Sequence, residues 1–181
     1  MADGDRTLAL SATLTLAPTY TNENATGNDS DDVIVRLLQV LTTGTTSDKA
    51  DRLYRKRRSA TTTGETLDLT ALASDPFGNT LAFTEVRGIL IVNRSSTVAE
   101  YLLVGGAATN AWLGFLNDVT DLARVHASTV NADSTIKNHG YAFFTSPADG
   151  QMAVSASNKD LKVKSASGTV AYDIYIWGTS A

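Results

Sequence analysis

Residues 81–106, LAFTEVRGILIVNRSSTVAEYLLVGG, contain two compact apolar runs, GILIV at 88–92 and YLLV at 101–104. Residues 93–96 between them are polar, and two short apolar runs joined by a polar turn are typical of a β-hairpin. Neither run alternates apolar with polar residues, which predicts that both faces of each strand are covered. A buried helix is the alternative, but the short runs and their β-branched residues favour strands. We therefore expect a hairpin at the centre of an all-β domain.

Further strands are predicted on both sides of this hairpin. Residues 6–16, RTLALSATLTL, alternate with the period of two that is typical of a strand with one covered face. Alternation returns in the C-terminal quarter, at residues 151–156, 161–164 and 170–176, with turn signals between these stretches. Closely spaced strands of this kind indicate a sandwich or barrel. The predicted fold is an all-β, antiparallel β-sandwich with an extended N-terminal segment.

The length of 181 residues suits a single domain with a sizeable core. We divide it into residues 1–32, an N-terminal strand or arm with a polar loop from residue 18, and residues 33–181, the sandwich. Within the second part, residues 33–58 are interpreted as another hairpin with a wide turn around Gly44. A helix capped by Ser47 is the alternative for the second half of that segment.

A cluster of basic residues lies in residues 52–58, which hold five of the 15 lysines and arginines of the chain. One interpretation is a solvated edge strand, where charge also prevents edge-to-edge aggregation. The second is a docking site for an acidic partner surface, with Arg55, Lys56, Arg57 and Arg58 as the candidate docking residues. Nucleic acid is the third, although the segment has few aromatic residues for base stacking.

Composition excludes several classes of protein. The net charge of −4 does not favour nucleic acid or an anionic membrane as a partner, and we expect neither. The chain has no cysteine, so it has no disulfide framework and no thiolate site. The N-terminus does not resemble a secretory signal, and no apolar run approaches the roughly 20 residues of a membrane span.

Metal binding is not expected. The acidic residues between 28 and 32 do not have the spacing of the twelve-residue calcium loop, so we interpret them as part of a solvated loop. The two histidines, His126 and His139, have no second ligand at metal-binding spacing and are interpreted as structural. We predict no metal and no cofactor.

Catalysis is not expected either. A hydrolase on this scaffold would need two carboxylates facing one cleft, and the candidates Asp68, Glu85 and Glu100 are not placed together by their spacing. Trp112 or Trp177 beside a polar side chain could form a sugar-binding platform. We expect instead that these tryptophans lie in the core or in an interface. We predict that the protein is not an enzyme.

The last strand carries the second set of candidate residues. Its even positions from 170 to 176 supply a core face, while Asp173, Tyr175 and Trp177 are on the other face. Adjacent exposed aromatic residues are typical of a contact surface. We predict that this face packs against another copy of the protein or against residues 117–138.

Five stretches resemble a family of small virion proteins of tailed bacteriophages: ADRLYRKRR (50–58), GETLDLTAL (64–72), DPFGNTLAFTEVRGILIVNRS (75–95), LLVGGAATNAW (102–112) and DLKVKSASGTVAYDIYIWG (160–178). The more specific motifs are the Phe77-Gly78 turn, the corner at 104–107 and the final strand around Asp173. The resemblance spans roughly residues 49 to 178. It implies a jelly-roll-like β-sandwich that acts as a capsid decoration or cement protein.

The same resemblance implies the partners and the location. The protein would be assembled in the host cytoplasm and bind the major capsid protein on the outside of the particle. It would also bind itself, with a homotrimer as the oligomer that the resemblance implies. The alternative is another virion role, a head-to-tail, tail or fibre component, with glycan binding as an option.

Overall fold

The computed structural model describes residues 10–16, 19–24, 27–32, 35–72, 80–116, 118–127, 129–130, 137–138, 140–146 and 148–180. Their regular structure consists of strands: β1 (Leu10–Leu16), β2 (Thr19–Asn24), β3 (Gly27–Asp32), β4 (Val35–Leu41), β5 (Arg52–Ala60), β6 (Glu65–Asp68), β7 (Glu85–Asn93), β8 (Leu102–Gly106), β9 (Leu122–Val125), β10 (Thr129–Val130), β11 (Lys137–Asn138), β12 (Tyr141–Thr145), β13 (Asp160–Ser165) and β14 (Val170–Thr179). No helix in this part of the chain is long and apolar enough to cross a membrane.

Eight of these strands form two antiparallel four-stranded sheets, which confirms the predicted all-β sandwich. Sheet I has the order β12-β7-β14-β5, and sheet II has the order β6-β13-β8-β9. All eight lie between Arg52 and Thr179. Most strands that are neighbours within a sheet are distant in sequence, because the chain passes repeatedly from one sheet to the other.

The core lies between the two sheets and confirms the predicted face of the last strand. The even-numbered residues of β14 from 170 to 176 are all buried there: Val170, Tyr172, Ile174 and Ile176. Leu161 and Val163 of sheet II lie in the same cluster. Fully burying one such aliphatic side chain contributes roughly 1.5–3 kcal/mol, so this face fixes the register of the strand.

The central pair of apolar runs forms two strands but not a hairpin. Both faces of β7 are largely covered, as predicted: Ile89 and Ile91 lie in the core between the sheets, and Gly88 lies against the Trp177 ring on the other face. Within sheet I the strand lies between β14 and β12. In contrast, β8 lies in sheet II between β13 and β9. A strand that is apolar on both faces fits the interior of either sheet, so its pattern does not identify its neighbours. Residues 94–101 are long enough to cross the roughly 10 Å between packed sheets.

The hairpin predicted for residues 33–58 is wrong. β4 pairs with β1, from Leu10↔Leu41 to Leu16↔Val35, whereas β5 pairs with β14. The helix alternative is also wrong, since Arg52–Ala60 is extended. The pairing of β5 with a strand more than a hundred residues away has no local signal in the sequence.

The polar loop predicted from residue 18 to residue 32 is instead a hairpin of β2 and β3. The two strands are joined by hydrogen bonds between backbone groups. A polar sequence can therefore form the hairpin although it lacks the alternation of apolar and polar residues by which a strand is recognised. The side chains of residues 28–32, the Phe77-Gly78 turn and His139 lie outside the described part of the chain.

Candidate docking surface

Strand β5 carries the predicted basic residues along one edge of sheet I, where β14 is its described neighbour. Successive side chains of a strand point to opposite faces. Tyr54 is buried in the core, so Lys56 and Arg58 lie on the same inner face of β5. Arg55 and Arg57 lie on its outer face. Arg55, Lys56 and Arg57 are exposed. Among the described strands the segment is therefore an exposed edge strand, which agrees with both the solvated-edge and the docking interpretations.

On the outer face, Asp173 of β14 is held between two arginines. Its Oδ1 accepts a hydrogen bond of 2.8 Å from Nε of Arg57, its direct cross-strand neighbour. Its Oδ2 accepts one of 2.7 Å from Nε of Arg94, which follows β7. The hydrogen bond from Arg57, with that from Arg94, holds the pKa of Asp173 below its ordinary value, although burial acts in the opposite direction. The same hydrogen bond raises the pKa of Arg57.

Tyr175, one alternation further along β14, is the cross-strand neighbour of Arg55. The guanidinium carbon of Arg55 lies 5.6 Å from the centroid of the Tyr175 ring, within range of a cation–π interaction. The tyrosine is half-buried and the arginine exposed, so the ring supports a cation that still faces solvent.

These residues line one shallow depression of about 460 Å³ on the edge of sheet I. We call it the basic depression, and it is lined by Arg55, Lys56, Arg57, Asp173 and Tyr175. Its lining contains three cationic side chains and one carboxylate, so its net charge is positive. Two separately predicted sets of residues, the docking arginines and part of the subunit interface, therefore meet at one surface.

Arg58 lies elsewhere and has structural partners. Its Nε donates a 2.7 Å hydrogen bond to Glu65, and its terminal nitrogen donates one of 3.0 Å to the Tyr54 hydroxyl. The Tyr172 hydroxyl donates to the other Glu65 oxygen at 2.6 Å. The bond to Glu65 raises the pKa of Arg58, and burial raises the pKa of Tyr172. Arg58 ties sheet I to β6 of sheet II and does not line the basic depression.

Trp177 lies on the outer face, as predicted, but is covered by a different segment from the one expected. Only 3% of it is exposed, and it packs with Leu41 and Ala50 of the same chain. Residues 41–50, which we call the cover segment, occupy the place that was predicted for a second copy or for residues 117–138. The sequence prediction failed because this segment was assigned to a hairpin of its own.

Two features of β7 adapt it to the cover segment. Gly88 lies beneath Trp177, where an added Cβ would stand 2.2 Å from the indole ring. The register of β7 and β14 shifts next to Trp177, and there the buried Arg87 donates a 3.3 Å hydrogen bond to the carbonyl of Lys49. Arg87 also forms an ion pair with Glu85 at 3.0 Å. A buried arginine thus fixes one end of the cover segment to the sheet.

Sequence reasoning missed Arg94 as a member of this surface. The residue was interpreted as part of a turn, and its contact with Asp173 spans 79 positions. Such a pairing can be predicted only once the pairing of β7 with β14 is known. The one usable signal is Asp173 itself, an acidic residue inside an otherwise apolar strand.

The other polar candidates are engaged in separate contacts. Asp68 accepts a hydrogen bond from Lys159 at 2.5 Å, Glu85 pairs with Arg87, and Glu100 accepts a hydrogen bond from Ser95. Searched over the described residues alone, histidine, cysteine and acidic side chains form no group of three that could hold a metal ion.

Neither tryptophan is available as a sugar platform. Trp112 is fully buried in the core and donates from its indole nitrogen to the carbonyl of Ala153 at 3.2 Å. Trp177 is covered by the cover segment. The glycan-binding option would require other residues.

The sequence matches no protein-family model, and a search of curated proteins finds no significant match to it.

Proposed function

We propose that the protein is a non-enzymatic structural component of a virus particle, which binds the outside of a tailed-phage capsid as a decoration or cement protein. Its partner would be the major capsid protein, and its location the capsid surface. The basic depression would be the docking site, with Arg55, Lys56 and Arg57 facing acidic residues of the shell.

The strand order supports this proposal at the level of architecture. The eight sandwich strands can be numbered in chain order, from β5 as the first, through β6, β7, β8, β9, β12 and β13, to β14 as the eighth. In these numbers sheet I has the order 1-8-3-6 and sheet II has the order 2-7-4-5. Eight strands interleaved in this way are expected of a jelly roll, an architecture found in viral capsid and lectin domains. Architecture alone does not assign a function, so the proposal depends on the surface.

The observation that carries the proposal is the concentration of positive charge at one exposed edge of an otherwise acidic protein. The chain has a net charge of −4, yet three adjacent cations of β5 are exposed together. Charge of one sign on one surface steers a partner of the opposite sign and fixes its orientation. An acidic patch on a capsid is a partner of this chemistry.

The test is attachment to purified particles over a range of salt concentrations. Surface charge pairs are screened over about 8–10 Å at physiological ionic strength, so occupancy should fall as salt rises. Substituting Arg55, Lys56 and Arg57 by serine should reduce occupancy at low salt and remove most of its salt dependence. Serine at Arg124, Lys162 and Lys164, three basic residues of sheet II, removes the same charge and should leave attachment unchanged. Equal occupancy of both variants at every salt concentration would refute docking through the basic depression.

We further propose that the protein is a homo-oligomer, with a trimer as the expected state. The outer face of sheet I is only partly covered: Leu90, Phe143 and Tyr175 are half-buried, and Tyr141 is 54% exposed. Contiguous partly exposed apolar residues of this kind are typical of a contact surface. A second copy packed over Leu90, Phe143 and Tyr141 would cover this part of the face and leave Tyr175 and the basic depression open.

The alternative position on the particle is the neck, tail or fibre. The basic depression would serve any acidic partner there equally well. Copy number per particle separates the two, because a shell component is present in numbers comparable to the capsid protein and a neck or tail component in few copies.

A further inference from the structure

Strand β5 is an open edge as well as a charged surface. It is nine residues long and pairs with β14 on one side. In an antiparallel pair, alternate residues direct their backbone N–H and C=O groups away from the partner, and an edge strand presents them as a template for another strand. Arg55, Lys56, Arg57 and Ser59 are exposed, so the described part of the chain leaves this edge accessible.

A second copy of the same edge is a poor occupant. Antiparallel pairing of two β5 strands would place arginines and lysines of one copy close to those of the other, and like charges in neighbouring strands are destabilising. The charge that blocks self-pairing attracts a strand that carries carboxylates. The strand already paired with β5 shows a contact of this kind: Asp173 of β14 lies directly opposite Arg57 and accepts a 2.8 Å hydrogen bond from it.

We propose that β5 binds an extended acidic segment of the partner by strand addition. The segment would pair its backbone with the open edge and direct carboxylates at alternate positions toward Arg55 and Arg57. A guanidinium has five N–H donors, and the side chain of Arg57 is 69% exposed, so a second carboxylate can share it with Asp173. This inference rests on the proposed docking function and specifies its geometry.

The partner chemistry follows from the two faces of the added strand. Carboxylates are required every second residue on the outer side, whereas the inner side meets Lys56 alone, because Arg58 is already paired with Glu65. An alternating acidic peptide therefore fits better than a block of acidic residues with the same charge. Backbone pairing supplies affinity in this mode, and the alternate side chains supply specificity.

The test uses the full-length protein and three synthetic peptides of equal length and charge. The first alternates glutamate with threonine, the second has the same sequence with alternate backbone nitrogens methylated, and the third has all its glutamates in one block. Dissociation constants are measured by calorimetry, and hydrogen exchange of the β5 amides is followed in parallel. We expect the first peptide to bind, the other two to bind about tenfold more weakly or worse, and only the first to slow exchange in β5.

Equal affinity of the methylated peptide, unchanged exchange in β5, or no binding of any peptide would overturn strand addition. Tighter binding of a single-stranded oligonucleotide would also overturn it, since it would show recognition of phosphate. None of these results decides docking itself, which is measured on particles with the triple serine variant. The inference and the proposed function can therefore fail independently.

Discussion

Asp173 is the residue on which the arrangement of charges in the basic depression depends. Only 7% of it is exposed, and it orients both Arg57 of β5 and Arg94, which follows β7. Hydrogen bonds to an ionised group are the stronger kind, and a buried partner left without one is costly. Asp173 was predicted to belong to the contact face of the last strand, but nothing local in the sequence indicated that two arginines converge on it.

Replacing this carboxylate should therefore cost stability in a pH-dependent way. Asp173→Asn should lower the free energy of unfolding by about 1–3 kcal/mol at neutral pH. The pKa of Asp173 is lower in the folded state than its value of about 3.9 in an unfolded chain. The carboxylate thus stabilises the fold above that value, and its contribution is lost as pH falls through the folded pKa.

The measurement is urea denaturation of wild type and variant at neutral pH and at about pH 3. The difference between them should shrink at the acidic value. Asp121→Asn alters an exposed carboxylate and is the control, with an expected change below about 0.5 kcal/mol. An effect of Asp173→Asn that is the same at both pH values would show that its charge is not what matters.

Gly88 is the second residue with a specific consequence. Gly88→Ala would place a Cβ against the Trp177 ring, so the indole must move or the strands must separate. Overpacking of this kind costs about 1–3 kcal/mol. We expect lower stability and a red-shifted tryptophan emission. Gly150→Ala adds a Cβ that meets nothing within 4 Å, but its φ of +78° disfavours alanine, so this control should lower stability without shifting the emission. An unshifted emission in Gly88→Ala would contradict the described packing.

At the scale of elements, the cover segment determines which part of sheet I remains open. It buries Trp177 and leaves Tyr175 and the β5 edge accessible. The alternation of β14 was enough to predict which residues face the core and which face outward. It was not enough to predict what covers the outward residues, because the cover segment lies more than a hundred residues away and has no periodic pattern.

Two neighbouring residues test the role of the cover segment. Leu41 is 2% exposed and packs with Trp177, whereas Val40 is 58% exposed. Leu41→Ala should lower stability by about 2 kcal/mol or more and shift the Trp177 emission to the red. Val40→Ala should change neither beyond about 0.5 kcal/mol. If dilution alone exposed Trp177 and Leu41→Ala had no effect, a second copy would be the cover instead.

The same limit explains the misassigned hairpins. Residues 88–92 and 101–104 were identified as strands from their composition and length, and their covered faces were predicted correctly. Their neighbours were not, since proximity in sequence favours a hairpin and nothing in either run identifies β13 or β14 as the partner. Where polarity was uniform, as in β2 and β3, even the strands were missed.

At the scale of the whole molecule, the proposed trimer has a direct measurement. Sedimentation equilibrium at micromolar concentration should give three times the chain mass of 19.1 kDa. Tyr141→Ser, which alters the exposed aromatic residue of the outer face outside the basic depression, should reduce this mass while circular dichroism still reports a folded sheet. Val98→Ser, at an exposed site in a loop, is the control. A monomer at every concentration would refute the oligomer.

An electron cryomicroscopy map of the native particle would show whether the β5 edge of this protein docks onto the outer surface of a phage capsid. We expect density for the sandwich on the outside of the shell, with Arg55, Lys56 and Arg57 against acidic residues of the capsid protein. We also expect an extended capsid segment alongside β5. A particle whose shell lacks this density, or in which β5 faces solvent while another surface makes the contact, would refute docking through β5.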